Sequence, residues 1–243
     1  MQRISVVTPY FKESTEMLMQ CHQSVSSQIV DAEVTHHFVA DGHPNYEIDD
    51  WGVQHTVLSR ANDNNGNTPR AIGAIIAENQ GYDFVAFLDA DNWYHPDHLS
   101  SLLQLHRETT ASICCSFRTF HQEDGALLNV TEPDEDSLRH VDTSCFLVHR
   151  SAFALNTIWA RMPNSISPLC DRVFFSGIRH MRFGVAFSKR RTVAFRTTYP
   201  YHYKKAGLIP PVNDKEKRIQ ESIRYLMTAE GVRETVEKLG YWP

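Results

Sequence analysis

The stretch Phe84-Val-Ala-Phe-Leu-Asp-Ala-Asp-Asn-Trp-Tyr-His-Pro-Asp-His-Leu99 decides how the chain is read. Phe84 to Leu88 is a short apolar run of strand composition that ends abruptly in two carboxylates, Asp89 and Asp91. Pro96 is predicted to open a helix, with Asp97 in its first turn and Leu99, Leu102 and Leu103 on its apolar stripe. A buried strand that delivers two acids to its carboxyl end puts charge in the crevice beyond the strand ends, where open α/β sheets bind ligands. Two carboxylates this close repel unless a cation lies between them, and oxygen donors suit Mg²⁺ or Mn²⁺ bridging to phosphate. A polar turn that merely closes a strand is the competing explanation; the strand before it and the Pro-started helix after it weigh against that.

The same alternation extends to both sides. Ile4 to Thr8 reads as a buried strand ended by Pro9, and Ser14 caps a helix facing inward with Leu18, Cys21, Val25 and Ile29. Val34 to Val39 is a second strand running into Ala40-Asp41-Gly42, and Gln54 to Leu58 is a short third. Ala61 to Thr68 carries four Asn and one Gly and reads as a loop, followed by a helix with Ile72, Ile75 and Ile76 as its seam. This cadence is that of an α/β fold, a mainly parallel sheet with helices on its faces.

Residues 111–243 are less regular. Ser112 to Phe120 and Ser144 to Val148 read as strands, Ala126 to Thr131 as a hairpin arm, and Glu132 to Asp136 as a solvated acidic loop. Ser151 is expected to cap a short helix and Pro168 to open one carrying Asp171 to Ile178. Val185 to Phe187 and Thr192 to Arg196 read as two strands. Thr198 to Val212 is a loop long enough to have a function, and two helices close the chain. The expectation is one domain: a ligand-binding half over 1–110, an acceptor half over 111–212 and terminal helices over 213–243.

With 243 residues and 42% apolar content the chain can bury one sizeable core. A formal charge of −5 argues against a duplex-binding surface, so no nucleic-acid partner is expected. The densest basic run, Lys189-Arg190-Arg191, reads as a solvated turn, with a membrane or phosphate contact as its alternative. No apolar stretch approaches the roughly 20 residues that span a bilayer. The amino terminus starts directly on a strand, which predicts no signal peptide. Five cysteines without metal-ligand spacing fit reduced thiols in a cytoplasmic protein, peripheral to a membrane at most.

With these residues placed, the chain resembles the family 2 glycosyltransferases of the GT-A fold over roughly residues 3–205. Ile4-Ser-Val-Val-Thr-Pro-Tyr-Phe-Lys-Glu13 looks like the family's opening strand and nucleotide loop, and Phe38-Val-Ala-Asp-Gly42 its second strand. Gly66-Asn-Thr-Pro-Arg-Ala-Ile-Gly73 is similar to its Gly-x-Ser-x-Ala-Arg-Asn-x-Gly element, and Phe87-Leu-Asp-Ala-Asp91 is its strongest signature. Ala40, Ala71 and a loop one residue short depart from the pattern. The Gln-x-x-Arg-Trp element and membrane helices of processive synthases are missing, which argues against a synthase that extrudes its product.

The resemblance implies a metal-dependent, inverting hexosyltransferase that moves a sugar from a nucleotide-diphosphate donor, UDP-sugar above all, to a hydroxyl acceptor of unspecified class. Main-chain groups of Thr8, Pro9 and Tyr10 would border the base, Glu13 the ribose, and Asp41 would accept from the base imide. Arg70 would lie against the base or diphosphate, Asp89 would reach ribose and metal, and Asp91 would bind Mn²⁺ or Mg²⁺ directly. Family position makes Asp171, in Ser167-Pro-Leu-Cys-Asp-Arg172, the candidate base, with Asp142 its rival and acceptor-side neighbour. Many GT-A enzymes add a carboxy-terminal His to the metal, which points to His202, with Tyr201, Tyr203, Lys204 and Lys205 as a lid. Trp93 and Tyr94 are surfaces for stacking on a sugar, with core packing an equal explanation for Trp93. Two other readings stay open: a nucleotidyltransferase acting on a sugar phosphate, disfavoured by the glycine-free loop after the first strand, and a catalytically silent nucleotide-sugar binder.

Overall fold

In the computed structural model, which describes residues 1–132 and 140–243, a nine-stranded sheet runs through both halves of the chain. Its strands are β1 (Arg3–Tyr10), β2 (Glu33–Ala40), β3 (Gln54–Val57), β4 (Phe84–Phe87), β5 (Trp93–Tyr94), β6 (Ile113–His121), β7 (Leu127–Leu128), β8 (Phe146–His149) and β9 (Val185–Arg196). The order is β3-β2-β1-β4-β8-β6-β9-β5, with β7 paired to β6. Strands β3, β2, β1 and β4 are parallel, β8 runs against them, and β6 and β9 return to the first direction. Helices α1 (Thr15–Ser26), α2 (Asn67–Asn79), α3 (His98–Thr109), α4 (Thr157–Arg161), α5 (Cys170–His180), α6 (Pro200–Lys205), α7 (Lys215–Leu226) and α8 (Ala229–Leu239) accompany it.

Continuous apolar runs make strands that must be covered on both faces. Ile4, Val6 and Val7 of β1 and Phe84 to Phe87 of β4 are accordingly buried. Pro9 does not end β1; it pairs in register with Val39. Val7 O accepts from Leu88 N on the β4 side, so by alternation the nitrogen of Pro9 faces the same side, beyond the last residue of β4. No donor is needed there, which is where a strand tolerates proline.

The α2 helix is seated by small residues instead of isoleucines. Ala71, Gly73, Ala74 and Ala77 are buried, whereas Ile75 is 40% exposed. The helix lies so close to β1 and β2 that a Cβ on Gly73 would stand 2.4 Å from Val7 Cγ1. Ser14 does cap α1, accepting from Met17 N at 3.3 Å, but the helix stops at Ser26 and leaves Ile29 exposed. Pro96 follows the short strand β5 and sits in a turn with Asp97, so it precedes α3 without entering it. His149, not Ser151, caps the 3₁₀ turn after β8. The basic run 189–191 is not a solvated turn between two strands: β9 is continuous, with a bulge at Lys189 (φ 56°) that shifts the register against Cys115 to Arg118. There Arg190 pairs with Asp97 and Arg191 donates to Arg118 O at 2.8 Å.

Replacing Gly73 with Val is expected to cost about 1–3 kcal/mol, because the added methyls must displace Val7 and Val39 in a filled core. Chemical denaturation checks this, and a Gly73→Val chain as stable as the parent would refute the close seating of α2.

Candidate active site

Strands β1, β2 and β4 end side by side, and their carboxyl ends open onto a cleft of about 950 Å³. Tyr10, Asp41, Arg70, Asp89, Asp91, Asp142, Asp171 and His202 all line it, although they come from seven separate parts of the chain. Thr8 and Tyr94 are turned into the core, and Trp93 also lies off the cleft. Thr8 Oγ1 is bonded to His36 Nε2 at 2.8 Å, and the Tyr94 hydroxyl donates to Phe87 O at 2.6 Å. Trp93 packs under Arg196, 4.8 Å from its guanidinium, and against His121. As acceptor-side surfaces Trp93 and Tyr94 are therefore corrected: β5 turns both toward β9, an association that no local pattern encodes.

The acids after β4 sit on a pinned turn. Asp89 N donates to Ser144 Oγ at 3.2 Å, and Asn92 N closes the turn on Asp89 O at 2.9 Å. Asn92 Oδ1 accepts from Arg196 N, and Arg196 Nη1 donates to Asp91 O at 2.6 Å. Arg70 Nη2 donates to Asp89 Oδ1 while Nη1 holds Asn65 O at 2.7 Å, so this guanidinium braces the turn from α2. Among the described residues the Asp91 carboxylate takes no hydrogen bond and no ion pair. Burial first, and Asp89 second, push its carboxyl up to about 7, with Lys215 opposing.

The base-side wall is formed by the first two strand ends. Asp41 N donates to Tyr10 O at 2.7 Å, and the Asp41 carboxylate accepts from Asn62 N and Nδ2 at 3.1 and 2.6 Å. Gly42 (φ 78°) lets residues 60 and 61 close over this turn, since a Cβ there would meet Ala61 N at 2.2 Å. Glu13 turns back to accept from Phe11 N at 2.6 Å, fixing Phe11 on the cleft wall. The Tyr10 hydroxyl joins a chain through His55 Nε2 (2.7 Å) to Asp49, and burial raises it to about 12.

The opposite wall holds two ionic groups. Arg118, beside the bulge between β6 and β9, donates through Nη1 to Asp142 and through Nη2 to both carboxylate oxygens of Glu132, at 2.9 and 3.0 Å. His202 Nε2 reaches Glu132 at 3.2 Å, and its Nδ1 takes the Thr197 hydroxyl at 2.7 Å. Glu132 is therefore not a solvated residue: burial opposes its charge, but His202 and Arg118 prevail and hold it down near 2. The rest of that acidic stretch lies outside the described residues. Asp142 accepts from Ser144 N at 3.0 Å as a cap, and burial outweighs Arg118 in raising its carboxyl. Asp171, at the start of α5, accepts from His140 Nε2 and from Arg172 N at 2.7 Å. Burial works against the Asp171 charge, but His140 and Arg172 N bring it to about 2, and the His140 imidazole is raised in turn.

In the expected lid, Tyr201 and His202 face the cleft, Tyr203 is buried, and Lys205 donates to Thr131 O. The basic side chains that overlook the cleft from the carboxy-terminal end are Lys215 and Arg218 of α7. They stand one turn apart in a run of five charged residues, 214–218, where composition alone gives them no distinction. Arg118 and His140 were also silent in the sequence; the one available hint was a lone Arg inside an apolar strand.

The model of the glycosyl transferase family 2 matches residues 5–139, more than half of the sequence. The chain belongs to that family. Among curated protein sequences none matches. Among solved structures, residues 1–349 of S. aureus TarS bound to UDP superpose with a TM-score of 0.64 at 14% identity, over 95% of this chain and 73% of that one. The same fragment bound to UDP-GlcNAc gives 0.60 at 12% identity over 98% and 80%. A further S. aureus TarS structure gives 0.60 at 12% over 95% of this chain and 45% of that one. At these identities the likeness is one of fold, and the glycosyltransferase has the GT-A architecture. No helix among the described residues of the enzyme is long and apolar enough to cross a membrane.

Removing the cation shared by two acids is expected to be costly. Arg118→Met should destabilise the enzyme by about 3–5 kcal/mol at neutral pH, because two buried carboxylates lose their partner. Glu132 is held below its ordinary value, so its contribution exists above that value and is lost as pH falls toward 2. The gap between variant and parent in urea denaturation should therefore stay open down to about pH 5 and narrow from there toward pH 2; a gap independent of pH over that lower range would refute the assignment.

Proposed function

We propose that the chain transfers a sugar from a UDP-sugar to a hydroxyl acceptor with inversion, assisted by a divalent cation. The observation that carries this reading is the partly accessible Asp91 carboxylate at the end of β4, unpaired among the described residues, on the cleft wall where Asp89, Asp142 and Asp171 already have partners. No cluster of three His, Cys, Asp or Glu among the described residues makes a metal cage. The donor set fits an ion that takes one or two carboxylates from the protein and the rest from phosphate and water, as Mg²⁺ and Mn²⁺ do. Asp91 would hold it, with Asp89 beside it; His202 serves it only after leaving Thr197 and Glu132. When bound, such an ion neutralises charge that grows on the departing diphosphate.

The protein's own residues supply the rest. Asp41, kept in place by Asn62, is positioned to accept from a uracil imide, and Phe11 offers a ring beside it. Lys215 and Arg218 face the same cleft and favour the leaving diphosphate over the bound donor, which is the condition for lowering a barrier. Asp171 takes the acceptor's proton: the acceptor oxygen bonds to the sugar's anomeric carbon, and that carbon's bond to the diphosphate oxygen breaks. Asp142 is the weaker candidate because its oxygens are held by the permanently charged Arg118 and by a backbone cap. Asp171 instead faces a titratable partner. With His140 charged, Asp171 is a poor base; once His140 loses its proton, the carboxylate regains its affinity for one. A nucleotidyltransferase remains disfavoured by the glycine-free loop Thr8 to Glu13.

A thermal-shift panel of nucleotide sugars with and without Mn²⁺ tests the donor class, and UDP-sugars in the presence of the ion should raise the midpoint most. Asp91→Asn should abolish Mn²⁺-dependent donor hydrolysis. Since the Asp91 carboxyl titrates near 7, an ion must displace a proton below that pH. Apparent Mn²⁺ affinity should thus climb about tenfold per pH unit from 5 to 7 and level off above it. An affinity flat from pH 5 to 8 contradicts the Asp91 assignment.

Asp171→Asn should keep donor binding and lose transfer. Transfer by the parent enzyme should rise with pH through a midpoint above the ordinary imidazole value, and His140→Gln should remove that inflection. Parental transfer by the Asn variant would dismiss Asp171 as the base.

A further inference from the structure

Between α6 and α7 the chain reads Gly207-Leu-Ile-Pro-Pro-Val212, and its aliphatic side chains stand in solvent. Ile209 is 92% exposed, Val212 fully so and Leu208 43%. Folded chains leave single apolar side chains outside without cause, but three on one short segment mark a contact surface. Cations flank the segment on both sides: Lys204 and Lys205 end α6, and Lys215, Lys217 and Arg218 open α7. Asp214, Glu216 and Glu221, the last beside Lys217 at 3.9 Å, oppose them, in a chain whose formal charge is −5. The basic charge is thus concentrated around the exposed aliphatic tip. That tip borders the active-site mouth, since Tyr201 before it and Lys215 and Arg218 after it line the cleft.

Aliphatic tips ringed by Lys and Arg match the interface of an anionic bilayer. The apolar groups enter the boundary between headgroups and acyl chains, while the cations lie among the phosphates. Pro210 and Pro211 carry no N–H, so fewer backbone donors must be stripped of water on entry. We propose that residues 208–212 dock this glycosyltransferase on an anionic membrane surface, with the cleft mouth facing an acceptor hydroxyl presented there. The docking rests on the surface alone; the placement of the acceptor rests on the transferase reading above.

Co-sedimentation of the full chain with vesicles tests it, using phosphatidylcholine alone and phosphatidylcholine doped with phosphatidylglycerol. Binding is expected to the anionic vesicles, weakening as sodium chloride rises. The Ile209→Ser/Val212→Ser double variant should lose it, and Lys217→Gln should weaken it about fivefold. Donor hydrolysis without vesicles should be unchanged in both. Asp91→Asn should sediment like the parent, so docking persists even if every nucleotide sugar fails as donor and the transferase reading falls. No sedimentation with anionic vesicles overturns the proposal, as does equal sedimentation of the double Ser variant. A double Ser variant that instead raises the donor KM in free solution makes the loop a lid, and one that turns a dimer into a monomer makes it a subunit seam. Either result also overturns docking on a membrane.

Discussion

A desolvated carboxyl group with no hydrogen-bond or ion-pair partner among the described residues is the constraint on which this site is built. Moving a carboxylate out of water costs several kcal/mol unless something replaces its hydration. Around the cleft Arg70 answers Asp89, Arg118 answers Asp142 and Glu132, and His140 answers Asp171. Asp91 has no such partner among the described residues, and the protein meets the cost by holding its proton to about pH 7. A group kept in that state gains most from an arriving cation, so the empty electrostatic place beside Asp91 and the chemistry of a departing diphosphate answer one another.

The scaffold keeps that place from collapsing. If the turn after β4 were free, Asp91 could swing to the nearest guanidinium. It is tied instead from three directions: Ser144 ahead of β8, Arg196 at the end of β9 and Arg70 on α2. Arg196 uses the carbonyl of Asp91 and leaves its carboxylate alone. The β-bulge at Lys189 does similar service on the far wall, offsetting the register just before Arg118.

The parts legible in the sequence are those encoded within a few neighbouring residues. A strand that stops at two acids, a second that stops at Asp41, and an Asn-rich loop before a helix all depend on local composition, and each stands where it was expected. What escaped depends on distance in space. The α2 seam was misread because bulk, not hydrophobicity, decides which side can approach within reach of Val7. Trp93 and Tyr94 look available in a list of residues, but in β5, paired with β9 a hundred positions later, Trp93 lies under Arg196 and Tyr94 is buried. His140 gains its meaning only beside Asp171, and His202 only beside Glu132, partners 31 and 70 positions away.

The most direct examination is a crystal of the enzyme grown with UDP and manganese, with diffraction recorded at the manganese absorption edge. The account predicts an anomalous peak in direct coordination with the Asp91 carboxylate and the diphosphate oxygens. A bound nucleotide with no peak there, and Asp91 still unliganded, would contradict it.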